Sequence, residues 1–443
     1  MSDERPKGPW EGGPDSTFAR EIAAGDEALD RPHPTGPGGR RTIWPRIDLR
    51  AIGRGLVVPV LAIFTALVIG AFIIVLSDPA FWQELATDPL GAIATGIGNV
   101  FAAYGALITG SLGSPTEIVQ AIGSGDSKAI TMAFQPISET LLSATPLIFA
   151  GLAVALGFRA GLFNIGVEGQ LYLGAIFAVY AGFAITGLPW FIHLPLAILA
   201  GMLGGAIWAF VPGFLKARTG AHEVIVTIMM NYISYQVVML VLKTPGFQRP
   251  GRDDPISQNV LPSATLPPLI PDLRVHVGFF LALIAAAVVS WLLFRSTKGY
   301  EFRAVGLNPG AAKYAGMNIG RTTILAMVAS GALAGLAGGV EMLGTQGNLT
   351  PGFSPGYGFD AIALALLGGS RPLGVVAAAI LFGALRAGST PMQAATGTPV
   401  DLVVVIQALV IMFVAAPALV RAIYRIKVGR TTGTEVFSKG WGA

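Results

Sequence analysis

From Leu56 onward the chain returns repeatedly to apolar runs of about 20 residues, the length needed to cross roughly 30 Å of hydrocarbon. Lipid offers the backbone no hydrogen-bond partner, so such runs must satisfy their own N–H and C=O groups as helices. Only 12% of the 443 residues are charged, against about 25% in a soluble domain. The expected fold is therefore an all-α, polytopic transmembrane helical bundle. Spans are expected near 56–76, 138–157, 166–187, 193–214, 224–242, 277–294, 322–343, 372–388 and 401–420. An odd number would put the two basic ends on opposite sides of the membrane. Counting "GYGFDAIALALLGG", 356–369, as a short broken or re-entrant helix gives about ten spans and both termini cytoplasmic. The Gly- and Ala-rich segment 92–112 is expected as an external helix lying on the membrane. Proline density makes 77–135 and 243–276 irregular external stretches.

Residues 1–54 carry nine acidic and nine basic side chains among many Gly and Pro, with no apolar periodicity, and read as a disordered cytoplasmic tail. The transmembrane domain is expected over 55–430, with a cytoplasmic C-terminal tail at 431–443. On this topology 23 of the 29 Lys and Arg residues fall on the cytoplasmic side, as the positive-inside rule requires. The basic balance thus reports topology, and no nucleic-acid partner is expected. The chain has no cysteine, and its four histidines lack ligand spacing, so neither thiol chemistry nor a metal site is expected.

The polar residues inside apolar runs are the functional candidates, because an ionised side chain at a membrane centre costs on the order of 3 kcal/mol. Asn164, Glu168 and Gln170 cluster in "NIGVEGQLYLGA". Asn164 suits a helix cap, and Glu168 would then meet the positive end of the helix dipole in the first turn. Gly166 and Gly169 could equally break the helix and present these groups to a pathway. "GYGFDAIALALLGG" repeats the scheme around Asp360, 192 residues later: glycine, one apolar residue, a carboxylate, then an apolar run. Short glycine-interrupted segments in two halves point to a transport pathway between them. Asn231 in "MMNYIS" is a further candidate. Tyr232, Glu341, His222, Glu223 and Asp401 are weaker, Glu341 reading as a solvated residue near an outer helix end.

The longest internal loop, 294–321, holds "NPGAAKYAG", a short helix with Asn308 as cap, Pro309 at its first position and Gly316 past its end. That loop, with "ATPLIFAGLAVALGFRAGLFNIGVEGQLYLGA", "HEVIVTIMMNYIS" and "GYGFDAIALALLGGSRPLG", resembles the membrane permeases of bacterial ABC importers. The branch is the one that serves branched-chain amino acids, ribose-like sugars and nucleosides, and the likeness to nucleoside (simple-sugar-type) permeases runs from about 138 to 420. The resemblance implies a coupling helix around Gly306, Asn308, Ala311, Ala312 and Gly316 that inserts into a cytoplasmic ATPase. It also implies a second permease subunit, an external substrate-binding protein and a bacterial cytoplasmic membrane. No phosphate loop of the form G-x-x-x-x-G-K-[ST] is present, so ATP is expected on the partner and no cofactor on this chain.

The resulting expectation is a non-enzymatic permease subunit that moves nucleosides, or related nucleobases and simple sugars, by alternating access. Asn164, Glu168, Gln170, Asn231 and Asp360 are expected along the pathway. The rivals are an ion-coupled secondary transporter or channel, with Glu168 and Asp360 as ion sites, and a membrane-embedded enzyme using paired carboxylates.

Overall fold

A computed structural model describes residues 49–425; the expected tails over 1–54 and 431–443 lie almost wholly and wholly outside the described residues. In chain order the helices are α1 (Leu49–Ser77), α2 (Pro79–Leu85), α3 (Pro89–Leu112), α4 (Pro115–Ser124), α5 (Ser127–Arg159), α6 (Val167–Ala184), α7 (Trp190–Thr219) and α8 (Glu223–Leu242). They continue as α9 (Gly278–Arg295), α10 (Thr297–Leu307), α11 (Pro309–Tyr314), α12 (Ile319–Glu341), α13 (Tyr357–Leu367), α14 (Pro372–Thr396), α15 (Val400–Ala415) and α16 (Pro417–Ile423). A π-turn, Met342–Gln346, extends α12. Among the described residues, β pairing is limited to two isolated bridges, Gln248 with Ser257 and Pro268 with His276, both touching the stretch between α8 and α9. Among the described residues, nine helical stretches are long and apolar enough to cross a membrane. The expected all-α bundle is what forms.

Three local expectations need correction. The stretch 77–135 is largely helical, because its prolines open helices instead of breaking them. Pro79, Pro89 and Pro115 each occupy the first turn, where a missing N–H costs nothing. Asp78 and Asp88 cap the first two of these helices, accepting from the N–H groups of Ala80 (2.9 Å) and Gly91 (3.1 Å). Second, α3 does not lie free on a surface. It buries Ala103, Leu107 and Ser111, packs Leu107 on Gly388 of α14, and belongs to a stretch long and apolar enough to span. Third, the expected span 401–420 is broken. Pro417 disfavours helix at the residue before it, so α15 stops after 16 residues and Ala416 leaves helical geometry. The short segment after Gly356 forms as expected: α13 has 11 residues, about 16 Å, roughly half a bilayer.

Burial separates an inner from an outer layer. The spanning windows of α5 and α6 are each 83% buried and that of α12 72%, whereas α1 and α8 stand at 22% and 28%. The inner helices approach through glycine. A Cβ placed on Gly174 of α6 would lie 2.4 Å from the Cα of Gly335 of α12, a distance only a hydrogen permits. Backbone contact at this point brings the start of α6 against α12 and so positions the polar residues of both.

Candidate translocation site

The turn Ala160–Gly166 separates α5 from α6, and Asn164 organises it. Its Oδ1 accepts from the Gly166 N–H (3.0 Å) and from Gln170 Nε2 (3.0 Å). Its Nδ2 donates to Gln170 Oε1 (2.9 Å) and to Ser330 Oγ (2.9 Å) of α12, and that hydroxyl donates in turn to Ala153 O (2.7 Å). Every amide function of Asn164 is satisfied, and α5, α6 and α12 are tied together at one buried point. Asn164 is therefore not the cap of α6, as expected from sequence; Gly166 holds that position. The capping acceptor comes from another helix. Asn231 Oδ1 of α8 accepts the Gly169 N–H (2.9 Å), while its Nδ2 donates to Ile165 O (3.0 Å).

Glu168 lies in the first turn of α6, and its Oε2 accepts the N–H of Gly358 (2.6 Å), in the first turn of α13. Ser354 also hydrogen-bonds this carboxylate. A Cβ on Gly358 would stand 2.2 Å from the Glu168 nitrogen, so the two helix starts are in direct contact. The side chain is buried, with 6% of Glu168 exposed. Two positive helix ends converge on it, which is how an isolated carboxylate is tolerated at this depth. Among the described residues no basic side chain forms a salt bridge to it.

Asp360 occupies the corresponding first turn of α13 but bonds differently. It forms a salt bridge with Arg386 of α14. The Arg386 guanidinium also lies 4.8 Å from the ring centroid of Tyr357 and donates to Pro355 O (3.4 Å). Arg386 lies within α14, half-buried against α13. Glu341 is likewise not a solvated residue. It is buried, accepts from Gln346 Nε2 (3.2 Å), and ends α12 where the π-turn begins. Such π-turns recur at functional places in helices. Beside it, the His276 ring accepts the Gly278 N–H through Nδ1 (3.1 Å), and burial lowers its pKa to about 4, so it stays neutral.

Asn164, Gln170, Glu168 and Asn231 thus converge around the start of α6, with Asp360 on the adjoining start of α13. Tyr232 does not join them: it is 70% exposed on the outer face of α8. His222 holds the N-cap position of α8, Glu223 pairs with Lys216, and Asp401 is exposed in the first turn of α15. Ser330, Tyr357 and Arg386 were missed, and Glu341 was underrated. Only Arg386, a lone cation inside an apolar run, carried a signal in the sequence. Among the described residues no group of three or more His, Asp or Glu is disposed to hold a metal ion.

The segment from α10 to α11 meets the site's turn only at the end of α10, through Gly306 against Gly161. Asn308 Oδ1 caps α11 through the Ala311 N–H (3.0 Å), Pro309 opens the helix and Gly316 closes it at φ +82°. Ala311 and Gly316 are exposed, Tyr314 is 97% exposed, and Ala312 faces inward. Gly306 is different: a Cβ there would lie 2.6 Å from both Arg159 O and Gly161 N, so it packs on the end of α5.

A bundle of spanning-length helices enclosing half-helix α13 and buried polar groups defines a polytopic membrane protein. The branched-chain amino acid transport system / permease component family matches residues 136–415, and the chain belongs to it. The guanosine ABC transporter permease protein NupP of Bacillus subtilis is 44% identical over 64% of this chain and 82% of its own length. The nucleoside ABC transporter permease protein NupB of Lactococcus lactis is 37% identical, over 63% and 79%. The glucose ABC transporter permease protein TsgB13 of Haloferax volcanii is 38% identical, over 62% and 75%. No solved structure matches the chain.

Proposed function

We propose that this chain is the larger-type permease subunit of an ATP-driven importer of nucleosides. The carrying observation is the grading of its likeness: 44% identity to the guanosine permease NupP, against 26% to NupQ of the same organism. The same contrast holds for NupB and NupC, at 37% and 26%. The chain therefore takes the place of one of two unlike permeases, and its partner is the other. A cytoplasmic ATPase binds ATP for the pair, since this chain has no phosphate loop, and an external binding protein delivers the substrate. The assembly sits in a bacterial cytoplasmic membrane with both termini of this chain inside.

In this reading, ATP binding draws the ATPases together and the exposed tip at Asn308, Ala311 and Gly316 carries the movement into the bundle. The abutting starts of α6 and α13 then open alternately to the two sides. Glu168, Asp360, Asn164, Gln170 and Asn231 shape the pathway as hydrogen-bonding groups, without needing to change charge. The 38% identity to the glucose permease TsgB13 favours simple sugars as the second substrate class.

The test is uptake of labelled guanosine, nucleobases and glucose by membrane vesicles holding the full assembly, with and without ATP. ATP-dependent guanosine uptake, abolished by loss of this chain, is expected. Uptake that follows an ion gradient and ignores ATP would refute the reading, and ATP-driven glucose uptake alone would replace the substrate. Glu168→Ala and Asp360→Ala should each impair uptake in an assembled complex; normal uptake in both would remove these residues from the pathway.

A further inference from the structure

Half-helix α13 is held at both ends by one other unit, the α5–turn–α6 connection. At its start, Glu168 Oε2 accepts the Gly358 N–H. Beyond its other end, Arg159, the last residue of α5, donates from Nε to Ser370 O (3.0 Å) and from Nη2 to Gly369 O (3.1 Å). Ser370 is buried, and it adopts a left-handed φ of +50°. An anion therefore sits at the positive pole of α13 and a cation at its negative pole, each where the helix dipole favours it.

The same unit carries the contact with the exposed segment. Gly306, at the end of α10, lies against Arg159 O and Gly161 N so closely that no side chain fits between them. The guanidinium carbons of Arg159 and Arg303 of α10 lie 5.6 and 5.5 Å from the centroid of one ring, Phe294. A displacement of α10 and α11 must therefore move the backbone that bears Arg159, and through its two hydrogen bonds the end of α13.

We propose that Arg159 is the positioning residue that ties the ATPase-facing segment 297–316 to half-helix α13, converting movement of that segment into opening of the Glu168 site. This rests on the permease reading above. Loss of Arg159 then uncouples transport from hydrolysis, which a purely structural arginine would not do. Lowered assembly reduces uptake and hydrolysis together, whereas a lost link lowers only their ratio.

The experiment measures guanosine uptake and ATP hydrolysis by the complete complex, purified through this chain and reconstituted in liposomes, as wild type, Arg159→Ala, Arg159→Lys and Gly306→Ala. Arg159→Ala should keep hydrolysis and lower uptake per ATP about tenfold, the scale of one lost charge-assisted hydrogen bond. Arg159→Lys, which keeps the cation but not the forked geometry, should fall between, and Gly306→Ala should uncouple in the same direction. An unchanged ratio in Arg159→Ala overturns the proposal. Should that variant fail to assemble, the ratio in Arg159→Lys decides: a fall supports the link, and a wild-type value overturns it. A wild-type complex without ATP-driven uptake overturns the permease reading itself, and this inference with it.

Discussion

Glu168 and Asp360 both lie in the first turn of a helix, in two similar segments, and are stabilised by different means. Each follows a glycine N-cap, Gly166 or Gly356, and each lies in the first turn of its helix. Glu168 is satisfied by a backbone N–H and a hydroxyl across an interface between two helix starts. Asp360 is satisfied by a guanidinium from α14 and keeps a side-chain exposure of 20%. A shared local pattern therefore puts a carboxylate in the first turn of each helix, while the packed neighbours decide whether it belongs to a contact between helices or to an ion pair. Glu168 is bound into the contact that would have to open, and Asp360 is paired beside it.

The strongest way to break this contrast is Gly358→Ala. The new methyl would meet backbone of α6 at 2.2 Å, which no rotamer change relieves, so α13 must withdraw from Glu168. Overpacking of this kind costs roughly 1–3 kcal/mol, and uptake should be lost altogether. Gly166→Ala provides the comparison: its methyl would meet the Thr227 Cβ at 3.0 Å and the Asn164 and Gln170 amides at 3.2 Å, contacts looser than the backbone clash at Gly358. The purified complex of the first should melt clearly lower than that of the second. Similar melting and similar uptake would show that the contact of helix starts is incidental.

Next comes Arg386→Ala, which leaves Asp360 without its partner. A fully buried orphaned charge costs about 3–5 kcal/mol; the partial exposure here reduces the expectation to about 1–3 kcal/mol. Combining it with Asp360→Asn should recover part of that loss, a coupling that a double-mutant cycle on thermal stability would register. Glu168→Gln should be milder in stability, near 1 kcal/mol, because an amide oxygen still accepts the Gly358 N–H. If Glu168→Gln proved more destabilising than Arg386→Ala, Glu168 would be acting through its charge, contrary to its uncharged partners.

Much of this arrangement was legible in the chain, and the remainder was hidden for definite reasons. Apolar runs reveal spanning helices because lipid permits little else, and eight of the nine long spans expected from hydropathy formed as long helices. The loss of the last to a break at Pro417, and the gain of α3, both turn on where proline falls relative to a helix start. The candidate polar residues were visible because isolated polar groups stand out in apolar sequence. Their partners were not. Ser330 lies 166 residues from Asn164, and Gly358 lies 190 from Glu168. Glu341 looked peripheral because its burial depends on the π-turn and on Gln346, which no periodicity announces. Arg159 has its hydrogen-bond partners, Gly369 and Ser370, 210 and 211 positions away.

The smallest expected effect falls on the α6 side of the comparison, at Asn231. Its carbonyl takes the Gly169 N–H, one of the orphan donors at the start of α6, and its amide returns a bond to Ile165. Asn231→Ala removes a cap supplied from another helix, a loss of about 1 kcal/mol, and leaves the Glu168–Gly358 contact without direct injury. Asn231→Asp keeps the acceptor for Gly169 but loses the donor to Ile165, so it should recover part of the stability. If uptake in Asn231→Ala declines only as far as its stability does, Asn231 holds the helix start in place and the pathway begins at Glu168. A fall in uptake well beyond the change in melting would instead put Asn231 on the pathway, and the two helix starts would differ in substrate contact as well as in partners.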